Sequence, residues 1–215
     1  MRCIRFVLAA AVAVALAPAA KGLTLADLNA GASFASSDGT LTFEFDPGSV
    51  VVGGALSADL TQYLVTPIAG GFQLSGPMAA ANGGLGGLAL SYSVTAAGSL
   101  VLAGKSLLAT GVAFGPAFGA VGETLSNGEG LGAFVTGFGP SQLVDSTAFA
   151  EVASLDVVAG LSVLALGLGS LVSIQTLQQS FTVVPEAQTA LLLGLGLLGL
   201  ARFGTRERRT LSLRS

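Results

Sequence analysis

Short segments that alternate apolar and polar residues, separated by glycine-containing turns, constrain the fold of this chain most. Thr40–Phe45 and Leu88–Val94 alternate strictly, and Asp38-Gly39 and Asp46-Pro47-Gly48 bracket the first of them with turn residues. Short strands separated by turns predict an all-β, antiparallel β-sandwich-like domain. Thr61–Ile68 is predicted to be a helical turn or a loop. The further candidate strands are Ser99–Leu102, Leu107–Phe114, Ala133–Phe138, Ser154–Val158, Ser162–Leu166 and Thr176–Val184.

The charges are few and unevenly distributed. The 215 residues are 52% hydrophobic and 10% charged, there is no histidine, and the single cysteine is Cys3. Between Lys21 and Glu186 there are eleven acidic and two basic residues, whereas five arginines follow Glu186. An acidic body argues against nucleic acid as a partner, because phosphates require a basic surface. A single cysteine cannot form a disulfide within the chain.

The first 19 residues have the order of a secretory signal peptide. Arg2 and Arg5 are basic, Phe6–Ala17 is apolar and too short to span a bilayer comfortably, and Ala17-Pro18-Ala19 fits a small-x-small cleavage site. We therefore predict a signal peptide over residues 1–19, with Ala17 and Ala19 as the recognition residues and cleavage before Ala20. The alternative is an uncleaved N-terminal anchor.

The C-terminal region predicts one transmembrane helix. Residues 187–203 form an apolar segment without charge until Arg202, about 25 Å long as a helix. Arg202 can extend its charged group to the membrane interface. The arginines that follow, Arg206, Arg208 and Arg209, are expected to hold the C-terminus in the cytoplasm. The spacing Gly194-x-Gly196-x-x-Gly199 matches a dinucleotide fingerprint formally, but it lies inside the predicted helix and is followed only by a basic tail.

The tetrad Val184-Pro185-Glu186-Ala187, the apolar helix and the arginine cluster together resemble a PEP-CTERM sorting signal. The resemblance covers Val184–Arg209 and implies a domain order of signal peptide, acidic β-rich ectodomain (20–183), sorting signal (184–209) and tail (210–215). It also implies an exosortase as a transient partner, cleavage near residues 185–187, and release to the cell surface or an exopolysaccharide matrix. Ala187 replaces the second proline of the motif, which predicts slower processing or none.

The sequence predicts a non-enzymatic protein without a cofactor or a metal site. The absence of histidine excludes imidazole-dependent catalysis and imidazole metal ligation. Glu123, Asn127 and Glu129 could bring oxygens to a Ca²⁺ ion, but a solvated turn is the preferred interpretation. No spacing singles out a catalytic pair among the carboxylates considered for glycoside hydrolysis, which are Asp27, Asp38, Glu44, Asp59 and Asp145.

Three interpretations remain open for the chain as a whole. The preferred one is a surface or matrix protein that is sorted and released. The alternatives are a carbohydrate-binding, adhesin-like module and a permanently membrane-anchored periplasmic protein. The uncharged segment Val157–Ile174 adds a further ambiguity, because it is long enough for a membrane span but is divided by glycine and serine residues, which favours buried hairpin strands.

Overall fold

The computed structural model describes residues 22–187 and, beyond them, residues 191, 192, 194, 195 and 197. Within this part of the chain the dominant element is the β-strand, in agreement with the all-β prediction. A short helix, α1 (Leu25–Asn29), begins with a capping box in which the Thr24 hydroxyl accepts from the backbone N–H of Asp27. The strands are β1 (Leu23–Thr24), β2 (Ser33–Ala35), β3 (Leu41–Phe45), β4 (Val51–Gly54), β5 (Leu64–Ile68), β6 (Gly71–Ala81), β7 (Leu85–Ala96), β8 (Leu100–Phe114), β9 (Ala117–Leu125), β10 (Gly130–Thr136), β11 (Val144–Val152), β12 (Ser154–Ala165) and β13 (Leu171–Pro185).

The strands form two antiparallel sheets in a sandwich-like arrangement. Sheet 1 has the order β1-β5-β6-β13-β8-β11, and sheet 2 has the order β10-β9-β12-β7-β3-β2 with β4 also paired to β7. From β6 to β9 and again from β10 to β13, the chain changes sheet at every connection. Strands that are adjacent in sequence therefore face each other across the core.

The core consists of the inward-facing residues of both sheets. The predicted face of β3 is confirmed, since Leu41, Phe43 and Phe45 are all buried. Aromatic rings from the two sheets pack edge to face at the centre, with 5.2 Å between the ring centroids of Phe43 and Phe72. Such contacts add to the energy of apolar burial and give the core a specific geometry.

Several predicted strand boundaries were wrong because glycine does not interrupt these strands. Ser154–Val158 and Ser162–Leu166 were predicted as separate strands, but they belong to the single strand β12. Gly160 lies in the middle of β12 opposite Gly122 of β9, and a Cβ at this position would meet nothing within 4 Å. The predicted pieces Ser99–Leu102 and Leu107–Phe114 similarly join in β8. Strands β1, β2, β4, β6, β9 and β11 were not predicted.

The segment Val157–Ile174 consists of strand-sized pieces, as predicted, but it is not a hairpin. It contains most of β12, a turn and the start of β13. Strand β12 pairs with β7 and β9 in sheet 2, whereas β13 pairs with β6 and β8 in sheet 1. The segment thus connects the two sheets. The prediction of a helical turn or a loop over Thr61–Ile68 was correct only for its first residues. A 3-10 turn lies at Leu60–Gln62, and strand β5 follows it.

Both predicted targeting segments extend outside the described residues. Signal peptide 1–19 with Ala17 and Ala19, the arginines Arg202, Arg206, Arg208 and Arg209, and the tail 210–215 all lie there, as does most of the predicted transmembrane helix 187–203. Ala187 and the described residues between 191 and 197 have helical backbone. Among the described residues, no helix combines the length and the apolar character needed to cross a membrane.

Candidate functional site

The predicted processing motif lies at the end of the last strand of the sandwich. Val184 and Pro185 belong to β13 and pair with Val101 and Leu100 of β8. The backbone N–H of Glu186 then donates to the carbonyl oxygen of Ser99 at 2.8 Å. The sandwich therefore extends through Pro185, beyond the predicted domain boundary at residue 183. Proline is compatible with this position because it is the last residue of the strand.

The same end of β13 is open on one side. Pairing of β13 with β6 ends at Ser180, so the residues after it pair with β8 alone. Pro185, Glu186 and Ala187 are all exposed to solvent. The motif is thus presented as a surface peptide directly at the edge of a folded domain, without an intervening linker.

A second group of polar residues lies inside the sandwich and is called here the buried polar cluster: Tyr92, Lys105, Glu123 and Gln179. Tyr92 and Glu123 project from sheet 2, and Lys105 and Gln179 project from sheet 1. Nζ of Lys105 forms an ion pair with Oε2 of Glu123 and donates to the hydroxyl of Tyr92 at 3.2 Å. The Tyr92 hydroxyl donates to Oε1 of Gln179. The four side chains form one connected network across the core.

Apolar surroundings perturb the ionisable members of this cluster. Burial lowers the pKa of Lys105, and the charge of Glu123 opposes this effect. Burial raises the pKa of Glu123, against the opposing influence of the Lys105 charge. The pKa of Tyr92 is raised well above its ordinary value by burial and also by the Glu123 charge. Burial thus acts on all three groups in the direction of their neutral forms, and the attraction between Lys105 and Glu123 opposes it for the amine and the carboxyl group.

Two residues of the cluster, Gln179 and Glu123, have buried polar atoms without a hydrogen-bond partner among the described residues. Within the described part of the chain, Nε2 of Gln179 makes no hydrogen bond of normal geometry, although its residue is completely buried. The carboxylate oxygens of Glu123 also have no hydrogen-bond partner there, apart from the ion pair of Oε2 with Lys105. A buried amide without a partner costs free energy, typically about 1–3 kcal/mol. The cluster is therefore not optimised for stability alone.

Glu123 does not take part in a loop-bound cation site. It faces the core from β9, whereas Asn127 and Glu129 lie in the turn that follows, where Oδ1 of Asn127 accepts from the backbone N–H of Glu129 at 3.1 Å. The residue predicted to lie near a turn is thus part of the buried polar cluster. The described residues contain no group of three or more acidic, histidine or cysteine side chains positioned to hold a metal ion.

The carboxylates considered for catalysis lie on separate elements. Asp27 accepts from Thr24 at the start of α1, and Asp59 accepts from Thr61 in the 3-10 turn. Asp145 of β11 accepts from the backbone N–H of Gly132 at 2.8 Å. Asp38 accepts from the backbone N–H of Thr40 in the turn before β3, and Glu44 lies on the exposed face of β3. The hydrogen bonds given above are made by the four aspartates and join them to turns and neighbouring strands.

A shallow groove of about 580 Å³ lies on the outer face of sheet 2. Its floor is formed by small residues that meet in register, with Gly160 opposite Gly122 and Ala89. Val51 of β4 lies beside it, and Ser162 provides a hydroxyl. The surface is largely apolar.

Lys105, Tyr92 and Gln179 were not identified from the sequence as site residues. The available signal was the position of Lys105, which interrupts an otherwise uncharged apolar segment as the sole lysine between residues 22 and 201. Its partners could not be recognised, because Glu123 and Gln179 come from strands whose pairing depends on the tertiary fold.

No protein-family model matches the chain, and no curated protein sequence matches it. Among solved structures it is similar to TmCBM61, determined in complex with β-1,4-galactotriose, at 12% identity and a TM-score of 0.28, covering 64% of this chain and 88% of that one. It is also similar to the enzymatically active domain of tailspike protein 4 of bacteriophage CBA120, at 10% identity and a TM-score of 0.27, covering 66% and 19%.

A third similarity is to a tryptic core variant of Cry1Da from Bacillus thuringiensis, at 14% identity and a TM-score of 0.24, covering 62% of this chain and 23% of that one. The chain thus spans about a fifth of the lengths of the tailspike and Cry1Da chains. At these TM-scores, the three similarities carry no conclusion about what this chain does.

Proposed function

We propose that this chain is an exported, non-enzymatic surface or extracellular-matrix protein whose β-sandwich is released from a C-terminal anchor by cleavage at residues 184–187. The observation that supports the proposal most is the placement of Pro185-Glu186-Ala187, exposed and at the open end of β13. An enzyme of the exosortase type requires an accessible peptide close to the membrane. The apolar sequence and the arginines that follow would hold that peptide there during cleavage.

The experiment follows pulse-labelled protein through cell fractions. The full-length chain should appear first with the inner membrane and later outside it, shortened at its C-terminus and starting at Ala20. Replacing Pro185 and Glu186 by alanine should trap the longer form. The matched control is the P140A/E151A variant, which changes the same residue types at exposed positions away from the motif.

The substitution A187P provides the opposite test. It restores the second proline of the motif, favours an extended backbone at Glu186 and should therefore accelerate release. Accumulation of the full chain with Arg209 at the cell surface would contradict the proposal and support a permanent anchor instead.

Binding of a polysaccharide by the sandwich is the alternative function. The groove on sheet 2 is accessible, but its lining residues include no aromatic side chain and contribute one side-chain hydroxyl, that of Ser162. Sugar recognition usually requires several polar groups at fixed positions. Co-sedimentation with the organism's own exopolysaccharide, with S162A as the groove variant, distinguishes a binding module from a structural component.

A further inference from the structure

The buried polar cluster brings together the reactants and the catalytic groups for an amide exchange. Lys105 provides an amine and Gln179 provides a carboxamide, and both face the core from neighbouring strands of sheet 1. Gln179 is paired with Leu107 and Phe181 with Lys105, so the amine and the carboxamide are diagonal neighbours on one face. Diagonal neighbours are within reach of long side chains.

Two further requirements of such a reaction, a proton acceptor for the amine and a donor to the carbonyl oxygen, are met by observed contacts. The carboxylate of Glu123 contacts Nζ of Lys105, where it can accept a proton. The Tyr92 hydroxyl donates to Oε1 of Gln179, the atom on which negative charge develops when the carbonyl is attacked. Nε2 of Gln179, which would be the leaving group, has no hydrogen-bond partner among the described residues.

We propose that Lys105 and Gln179 form an intramolecular isopeptide bond that links β8 to β13, with Glu123 transferring the protons and Tyr92 polarising the Gln179 carbonyl. A proton moves from the Lys105 ammonium to Glu123, and the neutral Nζ attacks Cδ of Gln179. The Nζ–Cδ bond forms and the Cδ–Nε2 bond breaks. Glu123 passes its proton to Nε2, which leaves as ammonia, and then takes a second proton from Nζ.

The products balance and are suited to the site. The reaction starts from an ammonium, a carboxylate and a primary amide, and it ends with a secondary amide, ammonia and a neutral carboxyl group. It requires no oxidant, cofactor or second protein. It also removes two buried charges, which are costly in an apolar core, and it replaces the unpaired amide of Gln179.

The surrounding structure holds the reactants in place. Nζ of Lys105 lies 5.1 Å from the centre of the Phe181 ring and 5.6 Å from that of Tyr92, so aromatic side chains limit its movement. Fixing two groups in this way converts a slow bimolecular reaction into a much faster intramolecular one. The predicted mature protein has no cysteine, so a cross-link of this kind would provide the covalent restraint that disulfides give to other exported domains.

The first test is the intact mass of the purified full chain, compared with the mass calculated from its sequenced termini. The proposal predicts a deficit of one ammonia molecule. A mass equal to the calculated value would overturn it. A deficit of one water molecule would also overturn it, because it would indicate condensation of Lys105 with Glu123 instead.

The second test uses trypsin on the denatured protein and locates the bond. Lys105 is the sole trypsin site between residues 22 and 201. If its amine is free, trypsin divides this region into two fragments; if it is an amide, the region stays intact, while cleavage at Lys21 and Arg202 shows that the enzyme is active. Two fragments, one ending at Lys105 and the other beginning at Ser106, would contradict the cross-link.

Variants of similar volume separate the chemistry from folding. Q179M removes the electrophile and E123M removes the proton-transfer group, and both should keep the full mass and be cut at Lys105. Circular dichroism of each variant confirms that the sheets are formed. Loss of ammonia from E123M to the wild-type extent would overturn the role of Glu123. Y92F should lower the cross-linked fraction in newly made protein, and an unchanged fraction would overturn the role of Tyr92.

Discussion

Lys105 of β8 and Glu123 of β9 form an ion pair that joins the two sheets inside the core, and both side chains are fully excluded from solvent. The charges come from strands that are consecutive in the chain but belong to different sheets. Desolvation of such a pair offsets much of its electrostatic attraction. Its presence therefore indicates a role other than maximal stability, and it makes the cluster sensitive to the loss of either partner.

The first prediction concerns the order of stability among variants that cannot form the cross-link. E123M leaves Lys105 buried without a carboxylate, so adding K105M should increase the free energy of unfolding, by about 3 kcal/mol, although it removes a second native residue. Urea denaturation of the purified full chain measures the difference. The exposed variant E151Q serves as the control for loss of a surface charge and should stay close to wild type. A double variant less stable than E123M would show that Lys105 does not need a carboxylate partner.

The second prediction concerns the ionisation of tyrosine. The chain has two tyrosines and no tryptophan, so the absorbance of tyrosinate can be followed without interference. Burial raises the pKa of Tyr63 and, to a greater extent, that of Tyr92. Because the folded state disfavours both tyrosinates, stability should fall as the pH rises above 10. A spectrophotometric titration should show delayed ionisation that becomes normal in denaturant. In Y92F the most delayed component should be absent.

Alternation predicted strand faces well where the strands lack glycine. Leu41, Phe43 and Phe45 are buried as predicted, because a half-buried strand places every second residue in the core. Strand β9 was missed because its glycines resemble turn residues. A Cβ at Gly119 would lie 2.9 Å from Cγ2 of Val172 on the opposite sheet, so this glycine permits a close approach between sheets. A contact of that kind depends on tertiary structure.

The buried polar cluster could not be predicted from the sequence for a related reason. Lys105 and Gln179 meet because β8 and β13 are neighbours in sheet 1, although they are far apart in the chain. Pairing between distant strands is determined by the whole arrangement of the sheets, and no local pattern records it. The motif Val184–Ala187, by contrast, is contiguous and was recognisable at once, but its placement at the end of β13 required the structure.

The third prediction concerns Asp38, which joins two turns at one end of the sandwich. Its carboxylate accepts from the hydroxyl and backbone N–H of Thr40, from the hydroxyl of Ser36 and from the backbone N–H of Gly70. D38A should destabilise the protein by about 1–2 kcal/mol. D38N should cost less, because its amide oxygen can replace Oδ1 while its NH₂ group cannot accept from Gly70. Urea denaturation at neutral pH measures both, and equal effects would show that the contacts of Oδ1 with Ser36 and Thr40 contribute nothing.

The pH dependence of Asp38 provides a check on the same contacts. Burial acts to raise its pKa, but the hydrogen bonds from Ser36, Thr40 and Gly70 outweigh this effect and lower the pKa below 3.8. A lowered pKa in the folded state gives stability that is present above 3.8 and lost as the pH falls through the folded value. The stability difference between wild type and D38N should therefore shrink in acid. A difference that is constant down to the acid transition would contradict this assignment.

The last prediction compares two glycines of the sheets that differ in what surrounds them. A Cβ at Gly71 would lie 1.9 Å from the carbonyl oxygen of Gln179, so G71A must separate β6 from β13 at the start of their pairing. Overpacking of this kind typically costs about 1–3 kcal/mol, and strain at this point also acts on the backbone of a residue in the buried polar cluster. G160A is the matched control, since a Cβ there meets nothing within 4 Å and the position lies in β12, where alanine is favoured over glycine by about 0.5–1 kcal/mol. Thermal unfolding of both variants should thus give shifts of opposite sign. If G71A unfolds at the wild-type temperature, the tight approach of β6 to β13 at Gln179 is not a feature of the protein in solution.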